Sequence, residues 1–117
     1  MSGARSHHAG FAAEDQVARF YDRSGRPIAA RRWRGQSGEI DLIARDGPEV
    51  IFIEVKQSAT HDRAASHLTE RQLARMHRSA TEFIAREPKG QLTDIRFDVA
   101  LVDAMGRIEI LENVWAA

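Results

Sequence analysis

Apolar residues recur along this chain with two different periods, and the changes of period mark its elements. Over residues 9–23, "AGFAAEDQVARFYDR", Ala13, Val17, Phe20 and Tyr21 follow the i, i+4, i+7, i+8 spacing of one buried helical stripe. Ser24-Gly25 ends that helix, and Pro27 prevents its return. Residues 28–34, "IAARRWR", fit a short strand. Residues 39–45, "EIDLIAR", and 50–57, "VIFIEVKQ", read as a hairpin around the turn "DGPE". Residues 58–68, "SATHDRAASHL", have no clear period and are expected to form a loop. Residues 69–87 predict the clearest helix, with Leu73, Met76, Ala80, Phe83 and Ile84 on one face and Arg71, Arg75, Arg78 and Arg86 opposite. Pro88 and Gly90 close it. Residues 94–102, "DIRFDVALV", alternate like a strand, with Ile95, Phe97, Val99 and Leu101 on its apolar side. After a turn at Asp103 to Gly106, residues 107–112 give a last strand, with Ile108 and Ile110 inward. The order αβββαββ predicts an α/β (α+β) fold in which helices cover a central mixed sheet.

The length of 117 residues fits one compact domain, residues 9–117, after a short flexible lead at residues 1–8. The first residues lack the apolar core of a signal peptide, and no stretch approaches a membrane span. There are no cysteines, which excludes disulfides and thiolate zinc sites and suits a reducing, cytoplasmic setting. Net charge is zero, but its distribution is uneven. Residues 1–38 hold seven basic residues against three acids, and residues 39–62 hold two against six. Residues 63–90 hold six against three, and residues 91–117 two against five. An acidic centre between basic flanks fits a cation site beside a polyanion surface, and chance variation fits it as well.

The acidic centre is the hairpin. Strand alternation puts Val50, Phe52, Glu54 and Lys56 on one face, and Ile51, Ile53, Val55 and Gln57 on the other. In the preceding strand Glu39, Asp41 and Ile43 share a face, and Ile40, Leu42 and Ala44 share the other. If Arg45 opposes Val50 across the turn, then Ile43 opposes Phe52, Asp41 opposes Glu54 and Glu39 opposes Lys56. A slip of one residue would destroy this matching. Opposed carboxylates repel. A proton, a lysine or a divalent cation relieves them. Asp41 and Glu54, with the Val55 carbonyl, would supply oxygen ligands to Mg2+ or Mn2+. Lys56 would orient a water or stabilise developing negative charge. Glu54 and Lys56 also fit a solvated strand face. Val50 and Phe52 on that same face argue against it, because a strand apolar on both faces is buried on both.

"GEIDLI", a short turn and "FIEVK" together resemble the YraN-like family of small bacterial proteins. That family belongs to the PD-(D/E)XK nuclease superfamily, with a restriction-endonuclease-like fold. The resemblance runs from about Gly10 to Trp115 and includes "AEDQVARFY", "RRWRGQSGEIDLI" and "RFDVALV". It implies a catalytic set of Glu14, Asp41, Glu54 and Lys56, with magnesium on Asp41 and Glu54. Glu14 would reach in from the first helix, as a similar acid does in archaeal Holliday-junction resolvases. Without the resemblance, Glu14 reads equally as a first-turn acid favoured by the helix dipole. The chain departs from the family pattern at Gln57 and Ser58, where a small residue and an Arg are usual. It also has Arg71 where Lys is common, though Gln72 fits.

Other residues could contact a nucleic acid. Arg32, Trp33 and Arg34 combine cations with an aromatic ring, which suits a backbone and a stacked base, though Trp33 fits the core equally. Arg71, Gln72 and Arg75 lie on the helix face that could meet phosphates. That face also reads as simply solvated, with Glu82 paired to Arg78 or Arg86. The five histidines show no metal-ligand spacing. Asp98 is expected at the surface. The expectation is a Mg2+- or Mn2+-dependent nuclease acting on DNA, possible also as a homodimer by analogy with resolvases. The alternative is a catalytically silent nucleic-acid-binding or protein-interaction module on the same fold.

Overall fold

The computed structural model describes the backbone of residues 2–114 and the side chains of residues 11–114. The elements are α1 (Ser2–Arg23), β1 (Ile28–Arg34), β2 (Glu39–Asp46), β3 (Glu49–Gln57), α2 (His61–Ser66), α3 (Glu70–Ile84), a 3-10 turn (Gly90–Leu92), β4 (Ile95–Val102) and β5 (Ile108–Leu111). The sheet order is β1-β2-β3-β4-β5, and only β3 and β4 run parallel. A parallel neighbour needs a crossover, and α2 and α3 supply it. The result is the expected mixed sheet flanked by helices.

Two large cores follow from this layering, beside a smaller one of Ala64, Val99 and Leu101. On one face Ala13, Val17, Ala18 and Tyr21 of α1 pack on Leu42, Ala44, Ile51, Ile53, Ala100 and Val102. On the other, Met76, Ala80 and Ile84 of α3 pack on Ile40, Ile43, Val50, Phe52 and Phe97. β3 is central and covered on both sides, which explains its nearly continuous apolar run. Full burial of each large side chain there, such as Ile51, Phe52 and Ile53, contributes about 1.5–3 kcal/mol. No helix among the described residues is long and apolar enough to cross a membrane.

Several expectations need correction. α1 begins at Ser2 rather than at residue 9, because no proline interrupts the chain before it. Phe20 is 37 % exposed, and Ala18 takes its place in the stripe. The expected loop at residues 58–68 holds α2, too short to display a period. Its start is fixed locally: the Thr60 hydroxyl accepts the Arg63 N–H, and Asp62 lies in the first turn. Asp98 is not at the surface but fully buried, since α1 covers its face of β4. It accepts the Tyr21 hydroxyl at 2.7 Å, both Arg96 N–H donors at 2.9 and 3.0 Å, and the Asn113 N–H at 3.0 Å. A buried carboxylate with that many donors is fully compensated.

Candidate active site at the end of the central hairpin

Besides a bulge between Ile28 and Ala30, the strands lose their regular alternation beside Asp41. Ala30 and Trp33 both pack on the α3 side, although strict alternation would separate them. Ile40 also packs there, whereas Leu42 and Ala44 face α1. The register sets Arg31 opposite Leu42 and Trp33 opposite Ile40, which brackets Arg32 and Asp41. Arg32 has φ of 48°, a left-handed conformation that costs a non-glycine residue about 1–2 kcal/mol. Functional sites are where such strain tends to be kept.

The β2–β3 register follows the expected matching from Asp46–Glu49 through Ile43–Phe52 to Leu42–Ile53. Asp41 and Glu54 come next, beyond the last backbone-paired rung. Here the Asp41 carboxylate, through Oδ2, accepts the Val55 N–H at 2.8 Å. The Asp41 and Glu54 carboxyl groups act on each other electrostatically. Lys56 Nζ stands 3.3 Å from Glu54 Oε2, with its side chain 16 % exposed. Glu14 arrives from α1, its two oxygens each accepting a 3.1 Å hydrogen bond from Arg32. The Arg32 guanidinium also lies 3.9 Å over the Phe11 ring.

Electrostatics show how crowded the acids are. Burial, and then the Asp41 charge, push the Glu54 carboxyl up to about 7, against the pull of Lys56 and Arg75. Burial likewise raises Asp41, opposed by the Val55 N–H, Lys56 and the bond with Glu54. Glu14 is raised by burial and by Asp41, and Arg32 opposes the rise. Three acids on three elements therefore share one field, each held above its ordinary range.

Among the described residues, no three His, Asp or Glu side chains gather closely enough to hold an ion by themselves. A cation here would need the Asp41 and Glu54 oxygens, with the Val55 carbonyl, water or substrate completing its shell. The donors are all hard oxygens, which fits Mg2+ or Mn2+ better than softer metals. Their raised titration fits too, because a bound cation removes the repulsion that burial intensifies.

The remaining candidates divide. Trp33 packs edge-on against Phe83 at 5.4 Å and belongs to the core margin. Arg34 is well exposed and paired with Glu39 at 3.3 Å. Arg71 is exposed, while Gln72 is occupied in a capping box with Thr69 at the start of α3. Arg75 is half-buried with its stem against Gly38, unlike the exposed Arg71, and its charge acts on Glu54. Glu82 does not hydrogen-bond an arginine of its own helix; it accepts the Gln36 and Ser37 N–H groups at 2.7 and 2.9 Å, pinning the β1–β2 loop. His61 contacts the Arg107 carbonyl at 2.8 Å, and His77 stacks on Phe97. The side chains of His7 and His8 lie outside the described residues. Pattern alone missed Gly38, which lets Arg75 approach, and the switch of faces at Asp41. The one available signal for the former was a glycine directly before the acidic strand.

Comparison with known proteins places the chain among relatives of the same size. A UPF0102 protein of Cereibacter sphaeroides is 68% identical over 117 residues, covering 100% of both chains. One from Ruegeria pomeroyi is 59% identical over 113 residues, 97% of this chain and 92% of its own. One from Dinoroseobacter shibae is 43% identical over 112 residues, 96% of this chain and 84% of its own. The model of the family described as "Uncharacterised protein family UPF0102" matches residues 13–102, a span that includes Glu14, the whole carboxylate–lysine cluster and Asp98. By that match and those identities, this chain belongs to the UPF0102 family, the YraN family.

Proposed function

We propose that this protein is a divalent-cation-dependent nuclease that hydrolyses phosphodiester bonds, with DNA as its substrate. The observation that carries this reading is the meeting of Asp41, Glu54 and Lys56 where the β2–β3 ladder ends. A buried carboxylate, a half-buried one and an ammonium group at one point are costly for a fold that needs only stability. They suit hydrolysis of a phosphodiester. Asp41 and Glu54 would hold Mg2+ or Mn2+, which when bound supplies Lewis-acid stabilisation of charge on the phosphate. Lys56, anchored by Glu54, is placed to orient the attacking water and to stabilise negative charge as it develops. The Val55 N–H fixes the Asp41 carboxylate, so that its rotamer is set before any ligand arrives. Glu14, tethered by Arg32, adds negative charge on the α1 side. In the reaction the water oxygen would bond to phosphorus and lose a proton to solvent as the phosphorus–oxygen bond to the leaving strand breaks, and the leaving oxygen would take up a proton from solvent. The absence of cysteines is in keeping with a cytoplasmic protein.

The test uses labelled linear, single-stranded and four-way DNA, with Mg2+ or Mn2+ and with chelator. Metal-dependent cuts that disappear in both Asp41→Ala and Glu54→Ala are the expected result. Intact DNA under all metals, with a retained gel shift, would instead assign the fold to a binding module, a role that the zero net charge also suits.

A further inference from the structure

Five arginines are half-buried among the described residues: Arg26, Arg32, Arg45, Arg75 and Arg96. Four have carboxylate partners: Arg26 with Glu112, Arg32 with Glu14, Arg45 with Glu87 and Arg96 with Asp98. Among the described residues Arg75 has no hydrogen-bond or ion-pair partner, and its Nε is buried without an acceptor. A buried N–H of a charged group that lacks an acceptor is an unusual thing to keep.

The position of Arg75 is enforced. A Cβ at Gly38 would lie 2.6 Å from Arg75 Cδ and 3.0 Å from Cγ, so the arginine stem rests on the bare glycine backbone. Gly38, at φ of +144°, is the residue just before β2. The Ser79 hydroxyl, one turn further along α3, donates to its carbonyl at 3.4 Å. Held by this contact three residues before Asp41, Arg75 lies close enough for its charge to act on Glu54 without an ion pair between them. An unpaired cation within electrostatic range of a proposed cation site is suited to share an anion with it.

We propose that Arg75 is the substrate-binding arginine of this site, donating to a non-bridging oxygen of the phosphodiester held at Asp41 and Glu54. The assignment rests on the nuclease reading above and adds to it the group that grips the phosphate. Arg75 neither gives nor takes a proton. It gains its missing acceptor when substrate arrives, and its hydrogen bonds shorten as charge builds on the phosphate oxygens.

Two measurements test this. The first is manganese-dependent hydrolysis of bis(p-nitrophenyl) phosphate, which reports on the phosphate alone. Arg75→Ala should lower the rate roughly 100-fold, with partial recovery on adding free guanidinium. A rate within about threefold of wild type, with the wild type active, overturns the proposal and leaves the nuclease reading standing. The second does not require turnover. The Arg75 Nε–H resonance, assigned by its loss in Arg75→Lys, should shift when a short single-stranded oligodeoxynucleotide is added with calcium, and not with calcium alone. A resonance that ignores the oligonucleotide overturns the proposal, whatever the wild-type activity. A shift in a protein that hydrolyses nothing would keep the phosphate contact and sink the catalysis.

Discussion

Replacing Glu54 with glutamine should stabilise the metal-free protein at pH 8. The glutamate is 6 % exposed, and burial together with the Asp41 charge raises its carboxyl from 4.5 to about 7. Each pK unit corresponds to 1.36 kcal/mol, so ionising Glu54 in the fold costs at most about 3 kcal/mol relative to the unfolded chain. The folded pKa lies above the unfolded one. The favourable contribution is therefore complete below about 4.5 and is lost as pH rises through about 7. Glutamine mimics the protonated form but forfeits the 3.3 Å pair with Lys56, which offsets about 1 kcal/mol. A net gain of about 1–2 kcal/mol at pH 8 remains, or a melting temperature higher by roughly 4–8 °C. At pH 4.5 the gain should vanish. Thermal melts followed by circular dichroism in EDTA at both pH values measure this, and magnesium should then stabilise wild type while leaving Glu54→Gln unmoved. A variant that melts below wild type at pH 8 without metal would refute the claim that the carboxylates are held in electrostatic conflict.

Other parts of the structure give equally direct expectations. Asp98→Asn should cost about 3 kcal/mol in urea denaturation, because it strands Arg96 in a site whose partner is fully buried; a loss below about 1 kcal/mol would contradict the network. Arg32→Gly should be more stable than Arg32→Ala by about 1 kcal/mol, since both lose the Glu14 contact but only glycine accepts a φ of 48° freely. Equal stabilities would mean that the left-handed backbone is not retained. Thr69→Ala should lose about 1 kcal/mol with the capping box of α3, and leave manganese binding unchanged in calorimetry.

How far the sequence revealed all this depends on whether the signal was local. β3 announced its central place, because Val50, Phe52, Ile51 and Ile53 make it apolar on both faces. The short turn after Asp46 fixed the register, and with it the approach of Asp41 to Glu54. The helix spanning Leu73 to Ile84 was equally plain from its period. What alternation could not show is a point where alternation fails. The switch of Ile40 to the α3 side depends on Arg32 adopting φ of 48° and on Asp41 replacing a backbone acceptor. Asp98 misled for a related reason: a lone acid opposite an apolar face reads as solvent-facing until Tyr21, Arg96 and Asn113 are brought to it from distant positions. Arg75 belonged by spacing to an outward face with Arg71 and Arg78. Only the packing of α3 on Gly38 turns it inward.

In the proposed nuclease, Asp41 and Glu54 clasp one divalent cation. A crystal soaked in manganese, with data collected for anomalous scattering, tests it most directly. A single strong peak is expected between the two carboxylates, about 2.1 Å from their oxygens, and it should disappear in Asp41→Ala. Manganese found only elsewhere on the protein, with nothing between the two carboxylates, would contradict it.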